Sequence, residues 1–327
     1  MKNSGRAHWL GFDLGGTKMM AAVFSPDFKV VASVRAKTKG TEGTQEVLAR
    51  IQATIAEALA EAGLDAAELG GIGIGSPGPL DLNRGVILHA PNLSWHNVHL
   101  KETLERTFKC PAIVANDVDA GTYGEYRFGA GRGARCVLGV FPGTGIGGAC
   151  IYEGRVLRGR IGSCMEIGHV QVQMDGRQCG CGQRGCLESV ASRLAISADA
   201  AAAVYRGEAP ALQRLAGTDL AEIKSRTLAK AIKAGDAVIE CIVRSAARHI
   251  GAAVANTVNL LAPDIVVLGG GLVEALPDIM LEEARKVICS QAMKAFTKDL
   301  KIAAAELGDN ATVMGAAALA SDTGAVS

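Results

Sequence analysis

The sequence lacks an excess of charge of either sign. Its 327 residues include 34 lysines and arginines against 33 aspartates and glutamates, which gives a formal net charge of +1. Proteins that bind nucleic acid over a broad surface usually carry a basic excess. The composition therefore gives no support to a nucleic-acid partner.

The sequence also lacks a long uninterrupted apolar segment. Its most apolar stretch, residues 237–262, contains Glu240, Arg244, Arg248 and His249, so we expect a buried helix there and not a membrane span. The polar N-terminus has no signal-peptide features, so we expect no membrane partner. The nine cysteines are expected to be reduced, in a cytoplasmic protein, rather than paired in disulfides.

Strand and helix patterns alternate along the chain. Apolar residues at helical spacing predict a helix over residues 44–62 that ends at Gly63. Further strands are predicted at residues 8–14, 19–24, 30–34, 69–75, 112–115, 265–268 and 302–305, with a block of strands from about 136 to 172. Further helices are predicted from residue 117, over most of the chain after the cysteine cluster, and from about residue 311. Strand-then-helix order in both halves predicts two α/β domains around a cleft.

Two glycine loops interrupt these strands. The first contains Asp13, Gly15, Gly16, Thr17 and Lys18, and the second contains Gly143, Thr144, Gly145, Gly147 and Gly148. Glycines let backbone N–H groups approach an anion closely, Lys18 adds a cation, and Asp13 can hold Mg²⁺. The alternative for the first loop is an ordinary hairpin turn.

The second loop formally matches the dinucleotide-binding pattern G-x-G-x-x-G, as does the segment 73–78. We reject that interpretation because no helix is predicted to open at either loop. No Walker A sequence occurs either. A third loop follows a strand at Gly269, Gly270 and Gly271. We expect the first two loops to hold the β- and γ-phosphates of a nucleotide and the third to pack against its adenosine.

Asn116 and Asp117 stand where a strand ends and a helix begins. One interpretation is helix capping, which both residue types favour. The other is that Asp117 accepts a proton from a substrate hydroxyl during phosphoryl transfer, a reaction that needs a carboxylate to orient the nucleophile.

His169, Cys179, Cys181 and Cys186 form the most informative cluster of the chain. One imidazole and three thiolates suffice for a tetrahedral structural Zn²⁺ site. Glu166 and Glu188 stand beside these ligands, and carboxylates suit vicinal sugar hydroxyls because they accept several hydrogen bonds. With one ring nitrogen on zinc, the other nitrogen of His169 must donate. The remaining cysteines are expected to be small buried hydrophobic residues.

These motifs together resemble the ROK family (repressor, open reading frame, kinase) of sugar kinases and sugar-responsive repressors. The resemblance rests on the three glycine loops and the zinc cluster, and also on Asn116–Asp117 and the segments 75–81 and 91–95. The sequence and spacing of the cysteine motif are most similar to those of bacterial glucokinases. One position departs from the family pattern, which often has Gly or Ala where this chain has Met165.

The resemblance implies an actin-like ATPase (ribonuclease H-like) fold. It implies a small domain over residues 1–117, a large domain over 118–307 that carries the zinc motif, and a C-terminal helix at about 308–327 that returns to the small domain. Asp117 would be the general base and ATP with Mg²⁺ the phosphoryl donor. The sugar would contact Gly78, Asn116, Asp117, Glu166, His169 and Glu188. A homo-oligomer, dimer or tetramer, is also implied.

The resemblance implies an ATP-dependent hexose kinase that acts on the 6-hydroxyl of glucose. Within the kinase class, N-acetylhexosamines, mannose and fructose are the alternative substrates, and polyphosphate is an alternative donor. A sugar-responsive transcriptional regulator is the alternative from another class, and we expect it less because the first loop begins at Asp13. A zinc-stabilised structural module would leave the phosphate loops and Asp117 unexplained.

Overall fold

The computed structural model describes residues 8–90 and 93–324. The chain divides into two compact units. Unit 1 consists of the described parts of Met1–Gly133, Arg155–Cys164 and Asp309–Ser327, and unit 2 consists of Ala134–Gly154 and Met165–Gly308. None of the helices in these described ranges has the length and apolar character to cross a membrane.

The strands in chain order are β1 His8–Leu14, β2 Lys18–Phe24, β3 Val30–Lys37, β4 Leu69–Ser76, β5 Leu80–Asp81, β6 Val86–Ala90, β7 Trp95–Val98, β8 Ala112–Asn116, β9 Cys136–Pro142, β10 Ile146–Tyr152, β11 Arg155–Val156, β12 Ile265–Leu268 and β13 Lys301–Ala304. The helices are α1 Thr44–Ala62, α2 Leu100–Phe108, α3 Asp117–Phe128, α4 Glu188–Ala191, α5 Arg193–Tyr205, α6 Pro210–Leu215, α7 Ser225–Lys233, α8 Ala237–Leu261, α9 Gly270–Ala275, α10 Pro277–Gln291, α11 Lys294–Thr297 and α12 Ala311–Gly324.

The main sheet of unit 1 has the strand order β3-β2-β1-β4-β8. Strands β1, β2 and β3 pair antiparallel, whereas β1, β4 and β8 pair parallel. The carboxyl ends of β1, β4 and β8 therefore meet at one edge. Ser76 and Asn116 are the last residues of their strands, and Asp13 is the second-last residue of β1. A smaller antiparallel sheet has the order β5-β6-β7.

Helix α1 forms over the predicted residues. Its apolar side chains recur three and four residues apart, so they share one face of the helix. Val47, Leu48, Ile51, Ile55 and Leu59 are all buried on that face. Gly63 ends the helix with a φ of 67°, a left-handed conformation that glycine adopts without steric cost.

Helix α12 lies directly on the main sheet of unit 1. A Cβ atom at Gly11 or at Gly73 would come within 1.8 Å of the carbonyl oxygen of Val313 or Ala316, respectively. Helix α3 approaches α12 equally closely, since a Cβ at Gly315 would meet the carbonyl of Ala120 at 1.7 Å. Backbone therefore packs on backbone at these glycines. The described part of the C-terminal helix belongs to unit 1; residues 325–327 of the predicted helix lie outside the described residues.

Unit 2 contains a sheet in the order β10-β9-β12-β13. Strands β9 and β10 form an antiparallel hairpin, and β12 pairs parallel to both β9 and β13. The predicted helix over the apolar stretch near residue 240 is α8, whose apolar face is buried in the core of this unit. Each unit thus begins with a strand, a short loop and an antiparallel strand, as the glycine pattern predicted.

The structure departs from the predictions in three places. The block of strands ends at Val156 rather than near residue 172, because the chain beyond it forms the turns that carry the cysteine cluster. Helix α3 lies with unit 1, where it packs on α12, whereas the sequence expectation began the second domain at residue 118. Cys241 and Cys289 are exposed on helices rather than buried.

Candidate functional site

The first glycine loop is the three-residue connection Gly15–Thr17 between β1 and β2. A Cβ at Gly15 would lie 2.6 Å from the carbonyl oxygen of Lys18, so the turn is too tight for a side chain there. The hydroxyl of Thr38 donates to the carbonyl of Gly15 at 2.7 Å, and its N–H donates to the carbonyl of Thr17 at 2.9 Å. The side chains of Thr17 and Lys18 remain exposed.

Asp13 lies near two other carboxylates of unit 1 at the end of the sheet. Burial raises the pKa of Asp13 to about 7, and the neighbouring charges of Asp117 and Asp309 add to this effect. Asp309 lies in the short helical turn before α12 and forms an ion pair with Arg35 at 2.9 Å. The raised pKa of Asp13 favours a cation beside it, since a nearby positive charge stabilises the ionised form.

Asn116 and Asp117 occupy the junction of β8 and α3. Asn116 is the N-cap, and its side-chain oxygen accepts from the N–H groups of Val118 at 2.9 Å and Asp119 at 3.2 Å. The capping interpretation is therefore confirmed for Asn116, whose amide nitrogen is not used by the cap. Burial raises the pKa of Asp117, although the N–H of Val118 hydrogen-bonds its carboxylate at 2.9 Å and opposes that rise.

Gly78 lies in the turn between β4 and β5. It has a φ of 95°, and a Cβ there would lie 2.2 Å from the carbonyl oxygen of His89, so the position requires glycine on both counts. Trp95, from the other predicted sugar segment, is fully buried in the core of unit 1. Pro91 and Asn92 of that segment lie outside the described residues.

The second glycine loop is the three-residue connection Gly143–Gly145 between β9 and β10, whereas Gly147 and Gly148 lie within β10. Two side chains from the region after the cysteines hold this loop. Glu188 accepts the N–H of Ile146 at 2.9 Å, and Arg193 donates to the hydroxyl of Thr144 at 3.0 Å. A Cβ at Gly145 would lie 2.3 Å from the Glu188 carboxylate, so the loop and this carboxylate fit closely.

The third glycine loop lies beside the second within unit 2. Gly269 follows β12, and its N–H donates to the carbonyl of Val140 on β9 at 3.0 Å. Gly270 has a φ of 79°, and a Cβ there would approach the carbonyl oxygen of Pro142 at 2.9 Å. Pro142 directly precedes Gly143, so the structure brings the second and third loops together. Gly271 lies in the first turn of α9.

The four predicted zinc ligands meet in unit 2. One ligand atom from each of His169, Cys179, Cys181 and Cys186 lies within 4.8 Å of the others. The Nδ1 of His169 is 3.6 Å from the Sγ of Cys179, and the Sγ atoms of Cys181 and Cys186 are 3.7 Å apart.

These separations fit a tetrahedral zinc ion. Bonds of about 2.3 Å to sulfur and about 2.0–2.1 Å to nitrogen at tetrahedral angles put two sulfurs about 3.8 Å apart and a sulfur and a nitrogen about 3.6 Å apart. The donor set therefore suits Zn²⁺ in both chemistry and spacing. Because Nδ1 faces the thiols, Nε2 is the nitrogen that His169 presents away from them.

Glu166 and His169 flank a short helical turn that packs on β10. A Cβ at Gly168 would lie 2.2 Å from the carbonyl oxygen of Ile146, and both Glu166 and His169 are exposed. Met165, which precedes Glu166, has a φ of 60° and packs its side chain against the core of unit 2. Its conformation explains why glycine suits this position, and its side chain serves as core packing.

Three further residues at these loops were not predicted from the sequence. Thr38 holds the first loop, Arg193 holds the second, and Asp309 raises the pKa of Asp13. Thr38 and Arg193 act on residues 23 and 49 positions away in the chain, respectively. No local spacing signals such contacts, although the position of Asp309 just before the last helix is a place where acidic residues are common.

Known proteins share this fold. A model of the ROK family matches residues 9–323. The chain is 34% identical over 311 residues to a glucokinase of Thermotoga maritima, covering 95% of this chain and 96% of the relative. A ROK family glucokinase from Streptomyces griseus, solved with glucose and AMPPNP, superposes with a TM-score of 0.82 at 33% identity, covering 96% of this chain and 99% of the other. A ROK family transcriptional regulator, a homologue of the E. coli MLC protein, gives a TM-score of 0.85 at 28% identity, covering 97% of this chain and 78% of its own.

The raised pKa of Asp13 predicts a pH-dependent stability. Its folded pKa of about 7 exceeds the ordinary value of 3.8, so the folded state binds more protons between these values. The free energy of unfolding should therefore fall as pH rises from about 4 to 7, by at most about 4 kcal/mol from this group. Urea unfolding in magnesium-free buffer at pH 5 and pH 8 should show a smaller loss for Asp13→Asn than for the wild type. Equal losses of unfolding free energy in the variant and the wild type would show that Asp13 is not the source of the pH dependence.

The cysteine cluster predicts a bound metal that depends on each thiolate. Purified protein should contain about one zinc ion per chain, and Cys181→Ser should lower that content severalfold. Elemental analysis by mass spectrometry measures the content, and thermal unfolding should show a lower midpoint for the variant. The matched control is Cys241→Ser, an exposed cysteine of the same unit, which should keep its zinc. Retention of full zinc by Cys181→Ser would remove this residue from the ligand set.

Proposed function

The chain belongs to the ROK family, and from this premise we propose that it is an ATP-dependent hexose kinase that phosphorylates the 6-hydroxyl of glucose. The names of its glucokinase relatives at 32–34% identity support this function. The regulator noted above shares the fold, so the fold alone does not separate the two classes. The residues of the site therefore have to distinguish a kinase from a regulator.

The observation that carries the proposal is the buried carboxylate of Asp117 beside Asp13 in unit 1. Asp117 begins a helix at the end of a parallel strand, and burial raises its pKa. A carboxylate of raised pKa is a stronger base toward a substrate hydroxyl than an ordinary aspartate. Sugar binding alone would not need such a base, whereas phosphoryl transfer does.

In this mechanism Asp117 accepts the proton of the 6-hydroxyl while that oxygen attacks the γ-phosphorus of ATP. The bond from the γ-phosphorus to the β,γ-bridging oxygen breaks, and ADP leaves. The amide nitrogen of Asn116 is available to donate to the sugar because its oxygen caps α3. The N–H groups of Gly15 and Gly16, with Thr17 and Lys18, stabilise phosphate charge. Mg²⁺, held by Asp13, would neutralise further charge on the phosphates.

The residues of unit 2 supply the second part of the mechanism. The loop Gly143–Gly145 donates to phosphate oxygens through its backbone and the hydroxyl of Thr144, and the loop Gly269–Gly271 borders the adenosine. Glu166, Glu188 and Nε2 of His169 bind sugar hydroxyls. A structural Zn²⁺ on His169 and the three cysteines would fix the ring orientation of that histidine, so that Nε2 carries a proton to donate.

Glucose is the favoured sugar because the relatives that are 32–34% identical to this chain are glucokinases. Met165 does not argue against glucose, since its side chain packs against the core of unit 2. Glu188 has a second task in our proposal, because the same carboxylate accepts the N–H of Ile146. Sugar binding and the second phosphate loop are therefore connected through one side chain.

A hexose panel tests the proposed function. ADP release should be measured with Mg-ATP and each of glucose, mannose, fructose, N-acetylglucosamine and N-acetylmannosamine. We expect kcat/KM for glucose to exceed that of each other sugar at least about tenfold, a difference of about 1.4 kcal/mol in transition-state binding. A higher value for another hexose would overturn the substrate. Glucose binding in calorimetry without ADP release would instead indicate a sugar sensor, and polyphosphate in place of ATP tests the donor.

The role of Asp117 can be tested by substitution. General-base groups contribute about 10²–10⁴-fold to rate, so Asp117→Asn should lower kcat at least about a hundredfold while glucose still binds in calorimetry. The matched control is Asp119→Asn, two residues further along the same helix and paired with Arg158 at 3.8 Å, which should keep most of its activity. Normal turnover by Asp117→Asn would exclude Asp117 as the base.

A further inference from the structure

Arg193 makes two contacts with the second glycine loop. It is the first residue of α5, and its N–H donates to the carbonyl of Gly143 at 2.9 Å. Its guanidinium Nη2 donates to the hydroxyl oxygen of Thr144 at 3.0 Å. The first N–H groups of a helix have no partner within the helix, so the loop carbonyl satisfies one of them. Arg193 therefore holds two successive loop residues at once.

The contact with Thr144 determines what that hydroxyl can do. A threonine hydroxyl has one hydrogen to donate and two lone pairs that accept, whereas a guanidinium only donates. Arg193 occupies one lone pair of Oγ1, and the hydroxyl hydrogen is consequently left for an acceptor. An anionic phosphate oxygen is such an acceptor. The adjacent positive charge strengthens that donation.

Arg193 also keeps its charge unneutralised at this loop. Across residues 8–90 and 93–324, no carboxylate lies within 4.0 Å of its guanidinium. Arg206, at the other end of the same helix, differs in this respect because it forms two hydrogen bonds with Glu208, at 2.9 and 2.7 Å. The charge of Arg193 therefore acts on the loop, whereas that of Arg206 is paired at the surface.

The opposite end of the loop is held by the same stretch of chain. Glu188, five residues before Arg193, accepts the N–H of Ile146 at 2.9 Å. Gly143, Thr144 and Ile146 are thus held by side-chain and backbone groups of residues 188–193. Phosphoryl transfer gains most of its rate from donors that are already positioned before the reaction. A loop held at both ends meets that requirement.

We propose that Arg193 is a positioning residue for phosphoryl transfer. It holds the carbonyl of Gly143 and the hydroxyl of Thr144 so that the second glycine loop presents its donors to the phosphates of ATP. This inference rests on the proposed kinase function and adds to it the group that orients Thr144. It concerns the nucleotide side of the reaction, so removal of Arg193 should affect ATP use and leave the affinity for the sugar unchanged.

Steady-state kinetics test the role of Arg193. We expect Arg193→Ala to lower kcat/KM for ATP about tenfold, because a hydrogen bond from a charged donor is lost, while KM for glucose stays within about twofold. Arg193→Lys should recover part of the loss, since it keeps the charge but not the planar fork. Arg206→Ala, at the C-cap of the same helix, is the matched control and should behave as the wild type.

A double-mutant cycle tests whether Arg193 acts through Thr144. Thr144→Val removes the hydroxyl and leaves Arg193 in place. If the two residues act as one unit, kcat/KM for ATP should be no lower in the double variant Thr144→Val/Arg193→Ala than in the less active single variant. Fully additive losses would overturn the inference.

The remaining outcomes separate the inference from the proposed function. An active wild type whose Arg193→Ala variant keeps its kcat/KM for ATP would overturn the role of Arg193 and leave the kinase function intact. A wild type that releases no ADP with any hexose would overturn the kinase function itself. If Arg193→Ala weakens the kinetics for ATP and for glucose equally and also lowers the thermal midpoint, Arg193 has a purely structural role. The Thr144→Val variant then shows independently whether the hydroxyl of Thr144 contributes to kcat/KM for ATP.

Discussion

The close packing of backbone on backbone around helix α12 is the constraint on which unit 1 depends. Gly11 and Gly73 let α12 lie directly on strands β1 and β4, and Gly315 lets α3 approach α12. A side chain at any of these glycines would collide with a carbonyl oxygen. The parallel strands on which α12 packs have their carboxyl ends at one edge, so Asp117, which follows β8, lies near Asp13 at the end of β1.

In unit 2, most of the proposed zinc ligands and the side chains that hold the second glycine loop come from one short stretch of chain. Residues 179–193 contain three of the proposed zinc ligands, a carboxylate that accepts from Ile146 and an arginine that donates to Thr144. The residues that hold the second glycine loop therefore follow directly after the turns that carry the cysteines. At Asn116 as well, a structural role and a proposed substrate contact use different atoms of one side chain. Structural and functional interpretations of a residue need not exclude each other.

Predictions from the sequence succeeded where the signal was local. Helix α1 follows from apolar spacing and a terminal glycine, and the loops between β1 and β2 and between β9 and β10 follow from glycines between apolar strands. Predictions failed where contacts between residues distant in the chain determine the conformation or the unit to which an element belongs. Apolar residues after Val156 resembled strand but form the turns of the cysteine cluster, and α3 joins unit 1 through its packing on α12. Met165 could not be assigned to core or pocket until its surroundings were known.

The sequence by itself determined the elements, the three glycine loops, the cluster of His169 with three cysteines, and the family. Each of these depends on spacing along the chain or on the geometry of a turn, and the local sequence determines both. Only the tertiary structure decided which side chains hold the loops and how Asp13 titrates. Thr38 reaches Gly15 across 23 positions, and Arg193 reaches Thr144 across 49. Such contacts follow from packing of whole elements, and burial, which raises the pKa of Asp13, likewise exists only in the folded chain.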